Sequence, residues 1–378
     1  MLPSTGSSKR SNIEGKGEPG QVTMKKRFKK QTIVLAVCLS AIGTLLGGCD
    51  ILGSTSDSWK SVEAAEQPME KTAWVTDWQW MDGSADLQGM TNGLTSVQMF
   101  AAYFDEADQL LFTDMFKEGL PKVQEISRKS SLVHVDLTIV NDQKRKNGTD
   151  SQKDPAIVTR LMATPQSRTK HIDQIMEAVT TYQFHGVEID YERVADKDWQ
   201  NMLLFIQELH KRLQAKEKTL RVVLEPRTPI ETLALPKGPV YVMMAYNLYG
   251  TSTGPGPKAD RAFIKELATR MKVVPGEKVI AIASGGFDWT ASGKAVQVTE
   301  QQAVYLAKVN MAQPQRDEAS GSLYFQYVDE QKQKHTVWYA DETTLQTWSQ
   351  VIASEGYHKL ALWRLGDLSP ASVSFMNE

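Results

Sequence analysis

The chain has 378 residues, 41% of them hydrophobic and 23% charged, which supports one large domain or two small ones and excludes a disordered or fibrous protein. Residues 1–48 hold eight Lys/Arg and two Asp/Glu, leaving 35 basic and 43 acidic side chains beyond them. The resulting net charge of −8 argues against a duplex-binding surface, so no nucleic-acid partner is expected.

Met24-Lys25-Lys26-Arg27-Phe28-Lys29-Lys30 is a basic segment followed by the uncharged run Ile33 to Leu46, which is short for a bilayer span and flanked as in a signal peptide. Residues 1–23 are polar and unpatterned, so either Met24 is the true start or the basic region is long. The run closes in Leu46-Gly47-Gly48-Cys49, which resembles a bacterial lipobox. That resemblance implies that residues 1–48 are a lipoprotein signal peptide, that Cys49 is lipidated, and that the protein is extracytoplasmic and anchored to the membrane by its lipid. An ordinary signal peptide with a chance Cys is the alternative. With Cys38 lost and Cys49 acylated, no disulfide or cysteine metal site is expected. Residues 49–71 are rich in Ser, Glu and Asp without an apolar period and read as a tether; residues 72–378 form the domain.

Within that domain, strand-like runs occur at Ala73 to Trp78, Ser96 to Tyr103, Leu132 to Val140, Gly186 to Glu192, Leu220 to Leu224, Val240 to Tyr246, Lys278 to Ala283 and Lys359 to Trp363. Amphipathic stretches separate them. Trp199, Met202, Leu203, Ile206 and Leu213 make one helical stripe; Thr299 to Gln302 has capping-box spacing and opens a helix carrying Ala303, Leu306 and Val309. Asp341 caps the last helix, whose Leu345, Trp348 and Ile352 face inward before Gly356 stops it. Eight βα units in this length predict an α/β fold, a TIM (β/α)8 barrel. A doubly wound open sheet is the alternative, but no strand is followed by a Gly-x-Gly-x-x-Gly turn.

The fourth run, Gly186-Val187-Glu188-Ile189-Asp190-Tyr191-Glu192, spaces three carboxylates two residues apart. In a half-exposed antiparallel strand this is a solvated face. In a closed parallel barrel it directs Glu188, Asp190 and Glu192 into the lumen and packs Val187 and Ile189 against the helices. Stacked carboxylates in a core repel one another and lose hydration, which a fold tolerates where function requires it. His134, Asp136 and Thr138 alternate on the third strand and are expected to line the same lumen.

This run resembles the D-G-x-D-x-D-x-E signature of glycoside hydrolase family 18, the chitinase-like barrels, with His185 in place of the first Asp and Glu188 in place of the usual Asp or Asn. Met244-Ala245-Tyr246-Asn247 is similar to the sixth-strand M-x-Y-D/N, Leu224-Glu225-Pro226 to the end of the fifth strand, and Leu362-Trp363 to the eighth-strand Trp beneath the sugar. Gly286-Phe287-Asp288-Trp289 and the Tyr324 to Asp341 region look like the spore-cortex and cell-wall branch, with a small β-rich insertion, about residues 291–340, between strand 7 and the last helix.

The resemblance implies substrate-assisted hydrolysis; the family is already recognised as an exception to two-carboxylate glycoside cleavage. Glu192 would be the proton donor, raised in pKa by Asp190. Asp190 would hold the acetamido N–H, Tyr246 the acetamido carbonyl, Asn247 would assist, and Glu188 would lean toward Asp190 and bias its proton. Trp363, Trp289, Trp78 and Met244 would contact the glycan, since a pyranose face stacks on an indole. His185 has odd parity and should face away from the lumen. No His-Glu-x-x-His spacing or serine nucleophile elbow is present, so neither a metal nor a cofactor is expected. The expected function is cell-surface cleavage of β-linked N-acetylglucosamine-containing glycans, peptidoglycan ahead of chitin. A catalytically silent barrel that binds such glycans is the alternative.

Overall fold

Eight strands form the barrel, joined by helices except between the fifth and sixth, where residues 225–239 are turns rather than the expected helix: β1 (Glu70–Thr76), β2 (Leu94–Phe104), β3 (His134–Gln143), β4 (Gly186–Asp190), β5 (Thr219–Leu224), β6 (Val240–Met244), β7 (Lys278–Ala283) and β8 (Lys359–Leu365). Each pairs in parallel with the next, and β8 pairs with β1, so the sheet closes into a barrel without edges. The computed structural model describes residues 68–90, 92–130 and 133–378; the expected signal segment, Cys49 and most of the tether lie outside the described residues.

Closure sorts side chains by parity. Val187 and Ile189 of β4 join the outer core with Ile172, Ile175, Phe205 and Leu209 from the flanking helices. Val223, Val242, Val279 and Ala361 form a separate inner cluster with Trp74 and Phe100. Gly186 is required at the foot of the lumen, because a Cβ there would lie 2.0 Å from Thr219 Oγ1 and 2.8 Å from Asp136 Oδ1. His134, expected in the lumen, is instead exposed at the N-terminal rim, its ring 4.8 Å from that of exposed His185. The alternation is real, but His134 precedes the point at which the barrel closes around the strand.

The helices follow their apolar stripes with two corrections. Trp199–Gln214 buries Met202, Phe205, Ile206, Leu209 and Leu213, leaving Leu203 partly covered. Thr299 makes the full capping box with Gln302, yet the helix Glu300–Val309 buries Ala303 and Ala307 and leaves Val309 51% exposed. That helix packs on the second sheet, a smaller surface than the barrel wall, so a narrower stripe suffices. Asp341 accepts from Thr344 N–H, and Leu345, Trp348 and Ile352 are buried behind it. This helix is not the last one: Pro370–Asn377 follows β8, capped by Ser369.

The insertion is a five-stranded antiparallel sheet in the order Ala295–Val298, Gly285–Thr290, Lys334–Ala340, Leu323–Val328, Gln315–Arg316. It begins at Gly285, earlier than expected, because the chain passes from β7 into the new sheet almost without a break. Gly286 permits this pairing: a Cβ would meet the Trp338 carbonyl at 1.7 Å. Val298, Ala303, Phe325, Val337 and Tyr339 give the sheet its own core.

Candidate active site

The site stacks upward along β4. At the bottom, Glu188 is fully buried, and both its oxygens are engaged. Trp74 Nε1 (2.5 Å) and Thr138 Oγ1 (2.9 Å) donate to Oε1, and Arg221 Nε (2.8 Å) donates to Oε2. Arg221, on β5, stands directly opposite Glu188 in the parallel register and is itself 7% exposed at the side chain. The expectation that Glu188 leans toward Asp190 is therefore corrected. The longer side chain turns to Arg221 and reaches Asp190 only through its field.

One step higher, Asp190 is buried, and its Oδ1 has no hydrogen-bond partner among the described residues. Burial drives its pKa well above the ordinary aspartate range, and the Glu192 and Glu188 charges push the same way. A buried carboxyl oxygen facing the lumen of a polar-lined barrel is costly unless a water or a ligand meets it.

Glu192 lies beyond the last residue of β4, where the sheet no longer holds the backbone. Asn141 replaces the missing ladder: its Oδ1 accepts from Glu192 N–H and its Nδ2 donates to Glu192 O, both at 2.9 Å. This amide clasp fixes the residue at the C-terminal mouth, the face of a parallel barrel that carries catalytic groups. Burial raises the Glu192 carboxyl to about 7; the Lys153 ammonium opposes the rise by charge and hydrogen bonding, and Glu225 adds to it. Lys153 donates to Glu192 Oε2. It holds a left-handed backbone, φ 51°, which costs a non-glycine residue about 1 kcal/mol, and its N–H donates to Asp142 Oδ1 at 2.7 Å.

An aromatic floor lies beside the acids. The Tyr246 ring is parallel to Trp363, at 8° and 6.4 Å between centroids, while Phe100 and Trp74 meet Trp363 edge-on at 4.9 and 5.7 Å. Burial raises the Tyr246 pKa, as do the Asp190, Glu192 and Glu188 charges, so its hydroxyl keeps its proton at neutral pH. Trp78, 47% exposed, stands edge-on to Phe100 in a short 3-10 turn beyond β1, with the Arg364 guanidinium over its face. Asn247 is exposed at φ 61°, a conformation Asn tolerates, and Met244 is buried in the inner cluster. Trp289 is not brought to the site. It is 1% exposed, and its indole N–H donates to the Gly250 carbonyl at 3.3 Å, which corrects its expected sugar contact.

The sequence profile describing glycosyl hydrolases family 18 matches residues 73–367, the whole barrel. The chain belongs to this family. It is a glycoside hydrolase, and its curated relatives include an uncharacterized glycosylase, YvbX, of Bacillus subtilis (strain 168), 27% identical over 231 residues, covering 57% of this chain and 67% of the relative. A cortical fragment-lytic enzyme of the same organism is 26% identical over 225 residues, covering 52% of this chain and 49% of that protein, so the match spans about half its length. Among solved structures, the spore cortex-lytic enzyme SleL of Bacillus cereus superposes with a TM-score of 0.70 at 19% identity, covering 82% of this chain and 74% of that one. A chitinase from Chromobacterium violaceum gives 0.69 at 19% identity, covering 82% and 98%.

Three residues of the candidate site are not singled out by reading the sequence, Arg221, Asn141 and Lys153, and Glu225 enters there only as part of Leu224-Glu225-Pro226. Arg221 carries a usable signal, since it is a lone charge within Leu220-Arg221-Val222-Val223-Leu224 and shares the parity of lumen-facing Val223. Asn141 and Lys153 sit in or after a strand end among other polar residues, where only the fold distinguishes them.

Proposed function

We propose that the protein is a retaining glycosidase that cleaves β-linked N-acetylglucosamine-containing glycans, peptidoglycan ahead of chitin, with the substrate's own 2-acetamido group as nucleophile. The observation that carries this is the vertical pair at the mouth: a Glu192 carboxyl raised to about 7 above a buried Asp190 whose Oδ1 is open. Glu192 gives its proton to the glycosidic oxygen as the C–O bond breaks, and the acetamido carbonyl oxygen closes on the anomeric carbon. Asp190 takes the acetamido N–H and balances the positive oxazolinium-type ring, and Tyr246 orients the carbonyl. Water then opens the ring, returning a proton to Glu192 and leaving the β configuration. Trp363 lies flat beneath the reacting sugar. The cortex-lytic names among the relatives favour peptidoglycan over chitin.

The product anomer tests this. Glycans with the 2-acetamido group should be cleaved to β product, and deacetylated counterparts should bind without turnover. An inverted product, or equal cleavage of cellulose oligomers, would exclude the mechanism. Binding without turnover of every N-acetylated glycan would return the silent barrel. Cys49 would hold the enzyme at the outer face of the cell membrane through a lipid. Cys49→Ser should release it from the membrane fraction or leave it unprocessed, and unchanged partition with no incorporation of a lipid precursor into wild type would refute the anchor.

A further inference from the structure

Lys153 sits where a proton donor is least served by a cation, because an ammonium on Glu192 favours the ionised form that cannot donate. Its placement is nevertheless built into the fold. The loop after β3 is pinned by the Gln143 and Ser151 backbone pair at 2.8 and 3.1 Å, by Asp154 N–H on the Asn141 carbonyl at 2.9 Å, and by Asp142 on the Lys153 N–H. Asp154 then caps the helix Pro155–Met162. Between these fixed points Lys153 is the one non-glycine residue with a left-handed backbone, and its side chain remains 38% exposed while Glu192 is 13% exposed. Apart from Lys153, the groups whose fields meet at Glu192 and Asp190 are acidic or neutral: Glu225 after β5 and the protonated Tyr246 after β6 at Glu192, and Glu188 on β4 and Asp142 on β3 at Asp190. An anionic glycan would meet a negative mouth relieved at this point by Lys153.

The chemistry of the leaving sugar says what such a cation can read. Glu192 protonates the oxygen on C4 of the aglycone sugar, and the neighbouring C3 of a muramyl residue carries an O-lactyl group. Where that lactyl carboxyl is free, a carboxylate is carried on the O-lactyl arm of the ring carbon next to the one bearing the leaving oxygen, on the side of an ammonium already hydrogen-bonded to the donor. Chitin has a neutral hydroxyl at the same carbon.

We propose that Lys153 is a positioning residue that recognises a free 3-O-lactyl carboxylate on the aglycone sugar, moving from Glu192 to that carboxylate when the substrate binds. This rests on the glycosidase reading above. As Lys153 leaves, Glu192 takes a proton from solvent and holds it for the glycosidic oxygen, so an acidic substrate arms its own donor. In peptidoglycan bearing stem peptides the lactyl carboxyl is an amide. The preferred strand is therefore one already stripped of its peptides, and an amide-cleaving reaction must supply it.

The test uses the whole protein on three glycans of equal length: N-acetylglucosamine–N-acetylmuramic acid strands with free lactyl groups, the same strands with the lactyl carboxyl amidated, and chito-oligosaccharide. In wild type, kcat/KM should favour the free-lactyl strand over the amidated one by about tenfold or more, and the basic limb of kcat should lie at higher pH for the free-lactyl strand. In Lys153→Met that preference should collapse, the basic limbs should coincide, and the limb for chito-oligosaccharide should move to higher pH. Lys153→Arg should restore the preference. An unchanged preference in Lys153→Met, or identical wild-type limbs on the free and amidated strands, overturns the inference while leaving the hydrolase intact. Wild type inert on all three overturns the hydrolase reading and this inference with it.

Discussion

Glu192→Gln is expected to lower kcat on N-acetylated glycans by about two orders of magnitude or more while KM changes little, since the amide keeps the volume and reach of the side chain but has no proton to transfer. The same substitution should make the protein more stable at neutral and alkaline pH. Burial lifts the folded-state pKa of Glu192 from 4.5 to about 7, so between those values the native state holds a proton that the unfolded chain has released. Stability therefore falls as pH rises through that window and is lowest above it. Glutamine removes the penalty, on the order of 3 kcal/mol, a figure already net of the Lys153 ion pair. Urea midpoints of the two proteins should agree near pH 4.5 and separate by pH 8. Near-wild-type turnover would remove Glu192 from the donor's role, and midpoints that separate only in acid would show that its pKa is not raised.

The arrangement of β4 is legible in the sequence because a two-residue period has one outcome in a closed parallel barrel. Val187 and Ile189 must meet helices, and Glu188 and Asp190 must meet one another's side of the lumen. What the period does not contain is the other end of each contact. Asp190 and Glu188 look alike in the sequence, yet one has an open oxygen and the other is saturated by Trp74, Thr138 and Arg221, partners that lie 33 to 114 residues away. Lys153 lies in Lys144-Arg145-Lys146-Asn147-Gly148-Thr149-Asp150-Ser151-Gln152-Lys153-Asp154, which reads as a solvated loop; only the bend of that loop against Asn141 and Asp142 brings one of its cations to the mouth. Trp289 fails in the opposite sense. Its position after β7 suggests a cleft wall, but pairing of Gly285–Thr290 with Lys334–Ala340 buries the indole against the Gly250 loop.

Arg221→Met should be the most destabilising single change at this site, costing about 3–5 kcal/mol, because it leaves the fully buried Glu188 carboxylate without its cation. Removing one member of a buried pair is more damaging than removing both: the lone charge keeps its desolvation penalty and loses the attraction that offset it. Glu188→Gln should be costly for the mirror reason, leaving the guanidinium buried beside the Trp74 ring, 5.9 Å from its centroid. Its effect on turnover follows from that loss of packing as well as from the field at Asp190, so turnover should fall as well as shift with pH. In the double variant Arg221→Met/Glu188→Leu, with apolar groups of similar length, part of the stability should return, since Thr138 and Trp74 then lose only hydrogen bonds, while buried Asp136 loses both the Arg221 and the Glu188 charge. A double-mutant cycle on denaturation midpoints measures the coupling. Additive losses would mean that the pair is not held together in solution, and Glu188 would then have to be reconsidered as a group free to act on Asp190.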